Sequence, residues 1–295
     1  MNTTNKILLV GVIRNLLALA IVLAWAIAPM PSLAAEPKDY KGYEGDGTIE
    51  PGEDETEELA RAVQNPLASM ISVPFQNNTS FRFGPRAGTL NVMNIQPVVP
   101  FKLSERLNLI TRTILPIVSQ PALLPGQSRE GGLGDTLFSA WVSPRGSQRL
   151  IWGVGPAVLL PTSTSERLGA GEFGLGPTVV ALTMPGRWVI GSLLNNVWGL
   201  TRNRDVNTFT WQHFVNYNFD HGWYLASQPI ITANWNADND NRWTVPVGGG
   251  FGRVFRIGKQ PINANFHGYY NAVKPDNIGP EWSLRFTLQF MFPKK

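Results

Sequence analysis

The sequence predicts an all-β fold, a closed antiparallel transmembrane β-barrel of about twelve strands, and three observations predict it. The first is the C-terminal stretch from Trp282 to Phe292, in which Trp282, Leu284, Phe286, Leu288, Phe290 and Phe292 alternate with Ser283, Arg285, Thr287, Gln289 and Met291. Period-two alternation puts the two sets on opposite faces of a strand, and about ten tilted residues cross a bilayer's hydrocarbon. A half-buried strand of a soluble sandwich alternates in the same way, so recurrence has to decide. The second observation is that recurrence: twelve strand-like runs come after Pro66, with connections that alternate between short and long. The third is the placement of tryptophan toward the ends of those runs.

The N-terminus comes before all of this. Lys6 and Arg14 precede the apolar run Leu16 to Ala28, and Pro29, Pro31, Ser32, Ala34 and Ala35 lie beyond it. A basic start, a short greasy core and small residues before a cut describe a secretory signal peptide over 1–34, with cleavage after Ala34 or Ala35. An uncleaved anchor would need about 20 apolar residues, and the prolines stop the run short of that. Residues 35–55 form an acidic leader with almost no aliphatic side chains to offset the entropy of ordering it. Residues 56–66 predict a short helix, acidic in its first turn and stopped by Pro66. Glu57 to Gln64 is a candidate plug for the short-turn end of the bore, held by attraction to a positive lumen; the alternative is a loose tail.

The barrel occupies 67–295. Its runs are 67–76, 91–101, 107–119, 133–143, 150–162, 172–184, 187–200, 207–219, 222–236, 242–257, 261–273 and 281–292. Short turns fall at Ser104-Glu105, Pro144 to Gln148, Pro185-Gly186, Asp220 to Gly222 and Gly258 to Gln260, all rich in turn formers. Connections such as 77–90, 120–132 and 274–280 are longer and polar. An even strand count with both termini on the short-turn side is the plan of an outer-membrane barrel. Trp141, Trp152, Trp188 and Trp223 fall near short turns, and Trp198, Trp211, Trp235, Trp243 and Trp282 near long loops, as two interfacial girdles require. The faces of run 187–200 are ambiguous. Pro97, Pro116, Pro156, Pro177, Pro229 and Pro246 lie inside strands of a sheet without edges, so each predicts a bulge or a broken ladder. The near-repeat Gly153, Gly155, Gly174 and Gly176, with Gly248 and Gly250, predicts either an inner wall that another backbone approaches or glycine easing curvature.

Composition narrows the chemistry. The chain has 16% charged residues, 29 Gly, 23 Pro and no Cys, which excludes thiol chemistry, disulfides and Cys-ligated metals. Between residues 36 and 61 ten Asp and Glu face only Lys38, Lys41 and Arg61, so the basic excess belongs to residues 62–295. Those charges are scattered through loops rather than clustered with aromatics, which argues against nucleic acid. His213, His221 and His267 lack metal-ligand spacing, so neither a metal nor a cofactor is expected.

The expected lumen-lining residues are Arg112, Arg285, Gln228, Thr232, Asn234, Asn263, Asn265, His267, Tyr269 and Asn271, all on the polar parity of their strands. Arginine near mid-span on the lipid face costs about 2–4 kcal/mol, whereas in the lumen it tunes selectivity. Pairing with carboxylates or other lumen groups is the alternative use of Arg112 and Arg285. A Ser/His/Asn lipid hydrolase would share the architecture, but His213 lies on the apolar parity with no apparent serine neighbour.

Four stretches carry a resemblance. Asn65 to Asn77, Leu150 to Pro161, Gly222 to Trp235 and Trp243 to Gly250 resemble a bacterial outer-membrane transporter family of the MetA-pathway-of-phenol-degradation type, whose members are sometimes mislabelled neuromedin U. The resemblance covers about residues 60–295 and includes the prolines. It implies a barrel in the bacterial outer membrane that passes small solutes, aromatic ones among them, without catalysis. The expectation is therefore a porin-like passive channel for small solutes, aromatic or anionic. Its partners would be outer-membrane lipid and an unnamed solute, with oligomeric state open; a surface or adhesion barrel and the hydrolase are the alternatives.

Overall fold

A computed structural model describes residues 55–146, 149–201 and 206–292. The expected signal peptide, its cleavage site and the leader up to residue 54 lie outside the described residues. Within them, helix α1 (Glu55–Val63) is followed by strands β1 (Ile71–Phe83), β2 (Gly88–Ile95), β3 (Val98–Lys102) and β4 (Leu107–Gln120). Next come β5 (Glu130–Leu133), β6 (Thr136–Pro144), β7 (Ile151–Leu160), β8 (Gly174–Thr183), β9 (Trp188–Gly199) and β10 (Asn207–Asn218). The chain continues through β11 (Trp223–Ser227), β12 (Ile230–Asn234), a one-turn helix α2 (Asn239–Arg242), β13 (Trp243–Ile257), β14 (Gln260–Val273) and β15 (Trp282–Phe292).

Every pairing is antiparallel, and the ring closes where β1 meets β15, from Ile71 opposite Phe292 to Phe81 opposite Trp282. Three staves are split, β2 with β3, β5 with β6 and β11 with β12, so the fifteen segments make a closed twelve-stranded barrel. Each expected run is a stave.

Prolines cause most of the interruptions. Pro97 and Pro229 divide β2 from β3 and β11 from β12, because a residue without an N–H cannot continue the ladder. Pro156 and Pro177 stand directly opposite each other on β7 and β8. Their backbone nitrogens face away from that pair, and the matching gaps open in the β6–β7 and β8–β9 ladders, at 155–156 and 176–177. The Pro116 carbonyl accepts from Gly134 N at 2.9 Å where β5 gives way to β6, and a register shift falls at Val245/Pro246.

Alternation decides what faces outward. On β15 the polar set with Met291 is mostly buried, and Trp282, Leu284, Phe286 and Phe292 are exposed. Phe75, Trp152, Leu175, Leu225, Phe251 and Phe266 continue this apolar outer surface.

The first strand departs from expectation, running from Ile71 through Phe83 rather than 67–76. Its Gln76-Asn-Asn-Thr-Ser80 segment has the composition of a loop. In the sheet Asn77, Thr79 and neighbouring Asn91 hydrogen-bond one another at 2.9–3.0 Å, so these outward polar groups satisfy themselves. The connection to β2 is accordingly the short segment 84–87. Pairing with β10 also resolves the ambiguous stave β9. Val189, Leu193 and Asn195 face the inner residues Asn216, Gln212 and Thr210, while Trp188 and Ile190 face outward with Tyr217 and Val215.

One turn shows how local chemistry fixes register. His221 (φ 58) and Gly222 (φ 76) both adopt left-handed backbone between β10 and β11, the mirror-image geometry that suits the twist of a hairpin. The histidine is a turn residue, as its position beside glycine predicted.

Candidate functional site

The interior is built from two layers. Nearer the short turns, α1 and the segment after it fill the bore. Leu59, Ala60, Ala62 and Met70 form a buried cluster with Tyr224, Ala226, Val254 and Met291 from the wall. Leu67 joins Ile110, Trp141, Val180, Leu182, Leu193 and Phe214 in a second cluster. Polar ties fix the segment further: Gln64 Nε2 donates to Asn218 Oδ1 at 2.7 Å, and Asn108 Nδ2 donates to Ser69 Oγ at 3.0 Å. Arg61 donates to the Met184 and Gly186 carbonyls at 2.7 and 2.6 Å. The segment is thus held by apolar packing, by amide and hydroxyl hydrogen bonds and by the Arg61 guanidinium on two wall carbonyls. Gly153 belongs to this layer, since the Leu67 side chain lies where its Cβ would point.

Beyond the segment lies a cavity of about 140 Å³, bounded by Val63, Gln64 and Pro66 on one side and by inward residues of the wall on the other. Its wall residues include Gln76, Gln96, Arg112, Gln212, Phe214, Tyr224, Gln228, Asn263, Asn265 and Gln289. Part of this lining is a single network. Tyr224 Oη donates to Asn263 Oδ1 at 2.8 Å, Asn265 Nδ2 donates to Tyr224 Oη at 3.3 Å, and Asn263 Nδ2 donates to Gln289 Oε1 at 3.2 Å.

The two arginines are differently placed. Arg285 is buried, donating to Asn78 Oδ1 at 3.0 Å and to the Gln228 carbonyl at 2.8 Å, with its guanidinium 4.9 Å from the Tyr269 ring. His267 stands opposite it on β14 and stacks on Tyr269 at 5.9 Å. Arg112 lies 5.5 Å over the Trp141 ring, and its buried Nε has no hydrogen-bond partner among the described residues. Neither arginine forms an ion pair among the described residues.

Of the remaining expected positions Gln228 lines the cavity, and Thr232, Asn234 and Asn271 lie farther from it. Gln228 Nε2 donates to Asn216 Oδ1 at 3.0 Å, and Thr232 stands opposite Thr210. Asn234 is exposed and accepts from the Asn236 backbone at 3.1 Å, so it shapes the following turn. Asn271 Nδ2 donates to the Pro280 carbonyl at 2.7 Å at the long-loop end.

Of the nine girdle tryptophans, Trp152, Trp188, Trp223 and Trp282 are exposed on the outer face. Trp235 and Trp243 pack edge to face at 5.5 Å with Phe209 beside them, covering the buried Ala233. Trp198 and Trp211 share the outward parity of β9 and β10. Trp141 corrects the reading. It faces inward, has no exposed surface and donates Nε1 to Thr178 Oγ1 at 3.1 Å. Its nearness to a short turn suggested a girdle, but its partner across the ladder is the inward Ile110.

A second correction concerns His213. Ser192 lies directly opposite it on β9, on the outer face. The Ser192 hydroxyl accepts from Trp211 Nε1 at 3.3 Å and has no hydrogen bond to His213, whose Nδ1 lacks a partner. A nucleophile needs its base within hydrogen-bond reach.

Sequence reasoning missed Gln76, Gln96, Gln212 and Tyr224 as cavity residues. Parity was the available signal for the last two, since Gln212 and Tyr224 alternate with the outward Trp211, His213, Trp223 and Leu225.

No family model matches the chain, and no curated protein does. Among solved structures, the COG4313 outer membrane channel from Pseudomonas putida F1 is similar, with a TM-score of 0.61 and 17% identity over 77% of this chain and 97% of that one. A Pseudomonas aeruginosa FadL homologue (TM-score 0.44, 8% identity, 79% and 92% covered) and the CymD monoaromatic hydrocarbon channel (TM-score 0.42, 9% identity, 82% and 93% covered) align more loosely. At these identities the likeness is one of fold.

Proposed function

We propose that the protein is a passive outer-membrane channel for small solutes, aromatic or anionic ones among them, with no catalysis of its own and with α1 closing the short-turn end of the bore. One observation carries the reading. A closed barrel with an apolar exterior encloses a cavity lined by amide side chains and by an arginine that has no carboxylate partner among the described residues. An apolar belt belongs in hydrocarbon, and a polar interior belongs to a water-filled lumen. On the outer-membrane plan the short turns and both ends of the barrel face the periplasm, which puts α1 on that side. The barrel fold shared with the COG4313 channel supports the outer-membrane reading. The resemblance to the phenol-degradation transporter type supports aromatic solutes.

Hydrolysis is the less favoured reading, because Ser192 and His213 share a face without sharing a hydrogen bond. Liposome swelling with a panel of solutes tests the channel, and phospholipid release from the same vesicles tests hydrolysis. We expect swelling without release.

The two guanidiniums, which meet no carboxylate among the described residues, carry a further prediction. Under a KCl gradient the reversal potential should show anion preference, and the double variant R112Q/R285Q should shift it toward cations, since charges at close quarters set selectivity. An unchanged reversal potential in the double variant would remove the two arginines from the account of selectivity.

A further inference from the structure

Resting on the channel reading and naming its solute class, we infer that the cavity beneath α1 is a binding site for a single-ring aromatic carboxylate, with Arg112 holding the carboxylate. The guanidinium has one face over Trp141, with its carbon 5.5 Å from the ring centroid. It makes no hydrogen bond among the described residues, and its Nε is buried and unsatisfied. The in-plane N–H edge is therefore the part left to bind, and that edge matches a carboxylate's two oxygens. An unpaired charge away from bulk water is costly, so a cation in this position favours an anionic occupant.

The rest of the cavity says what the anion is attached to. Phe214, Leu193 and Val98 give it an apolar wall, and Gln96 and Gln212 bring neutral amides able to donate or accept. Its volume of about 140 Å³ is of the size of an engineered cavity of ~150 Å³ that binds benzene, so the space holds one ring and not two. A bare inorganic anion would leave the apolar wall unused. A neutral ring would leave Arg112 unpartnered. Val63, Gln64 and Pro66 complete the boundary, so an occupant touches the segment that fills the bore and its binding is coupled to that segment's position.

The test is calorimetric titration of the full chain, folded in detergent, with benzoate, benzyl alcohol and acetate. Benzoate should bind at least tenfold more tightly than either of the others, and R112Q should weaken benzoate about 10- to 100-fold, the loss that goes with one charge-assisted hydrogen-bonding group. Heat-modifiable migration on gels shows whether R112Q is folded. Should it fail to fold, Gln212→Glu serves instead: a carboxylate on the cavity wall should weaken benzoate about tenfold, by like-charge repulsion at short range. Equal binding of acetate and benzoate would overturn the aromatic assignment, and equal binding of benzyl alcohol would overturn the role of Arg112. Absence of benzoate binding would overturn the site altogether. KCl conductance of the same preparation separates the two proposals, because a conducting barrel that ignores benzoate sinks this one alone, and a benzoate-binding barrel that never conducts sinks the channel.

Discussion

Removing residues 36–64 is expected to raise single-channel conductance in planar bilayers several-fold. The deletion takes away Leu59, Ala60, Ala62 and Val63, which pack against Tyr224, Ala226, Val254 and Met291 inside the wall. A helix this short is not stable alone and owes its order to that packing. A point variant separates loss of the plug from loss of chain. Leu59→Asp places a charge in the fully buried Leu59 position, where an uncompensated charge costs about 3–5 kcal/mol. The helix should leave the bore, and conductance should rise as it does on deletion. Wild-type conductance in both variants would mean that α1 does not control the passage.

Gly176→Val is expected to abolish assembly of the barrel, measured as loss of heat-modifiable migration after refolding into detergent. A Cβ at Gly176 would lie on the Asn196 carbonyl of the neighbouring strand, far inside van der Waals contact. The obstacle is backbone, so no side chain can rotate away. Relief requires separating β8 from β9, and the β8–β9 ladder is already interrupted at this point opposite Pro177. The destabilisation belongs with the rare losses above about 4 kcal/mol. Leu175→Ala, one residue away on the exposed outer face, should refold normally. Gly155 stands in the same relation to the Ala140 carbonyl. The repeated glycines thus serve close approach of adjacent strands, and only Gly153 faces the chain that fills the bore.

Much of the barrel was legible in the sequence because outward and inward environments differ so sharply in polarity. The Trp282 to Phe292 alternation is a direct record of that difference. Reading failed where the environments trade character. The inner face of β9 carries Val189 and Leu193 because the bore near the short turns is filled by apolar side chains rather than water, so periodicity there had no contrast. Trp141 was misplaced for the same reason. Strand β1 was misread because Asn77, Thr79 and Asn91 satisfy one another on the outer face. Arg112 and Arg285 were recognisable as inward residues, but not their different surroundings. Arg285 meets Asn78 and the Gln228 carbonyl from strands far apart in sequence, whereas among the described residues Arg112 meets the Trp141 face and no hydrogen-bond partner. Such long-range partnerships leave no local pattern. Two of the cavity's amides were equally hidden, since Gln76 lies in a segment composed like a loop and Gln96 beside the proline that splits a stave.

The two-faced closed barrel can be tested by single-cysteine spin labelling along 282–292 in lipid bilayers, a clean experiment in a chain with no native cysteine. Labels at 282, 284, 286, 288, 290 and 292 should be accessible to lipid-dissolved oxygen, with those at mid-strand shielded from an aqueous nickel chelate. Labels at 283, 285, 287 and 289 should lack the oxygen signal. A period-two alternation of oxygen accessibility along the strand is the predicted result. Uniform accessibility to the water-soluble reagent, or a signal without period two, would contradict a barrel whose outer face lies against lipid.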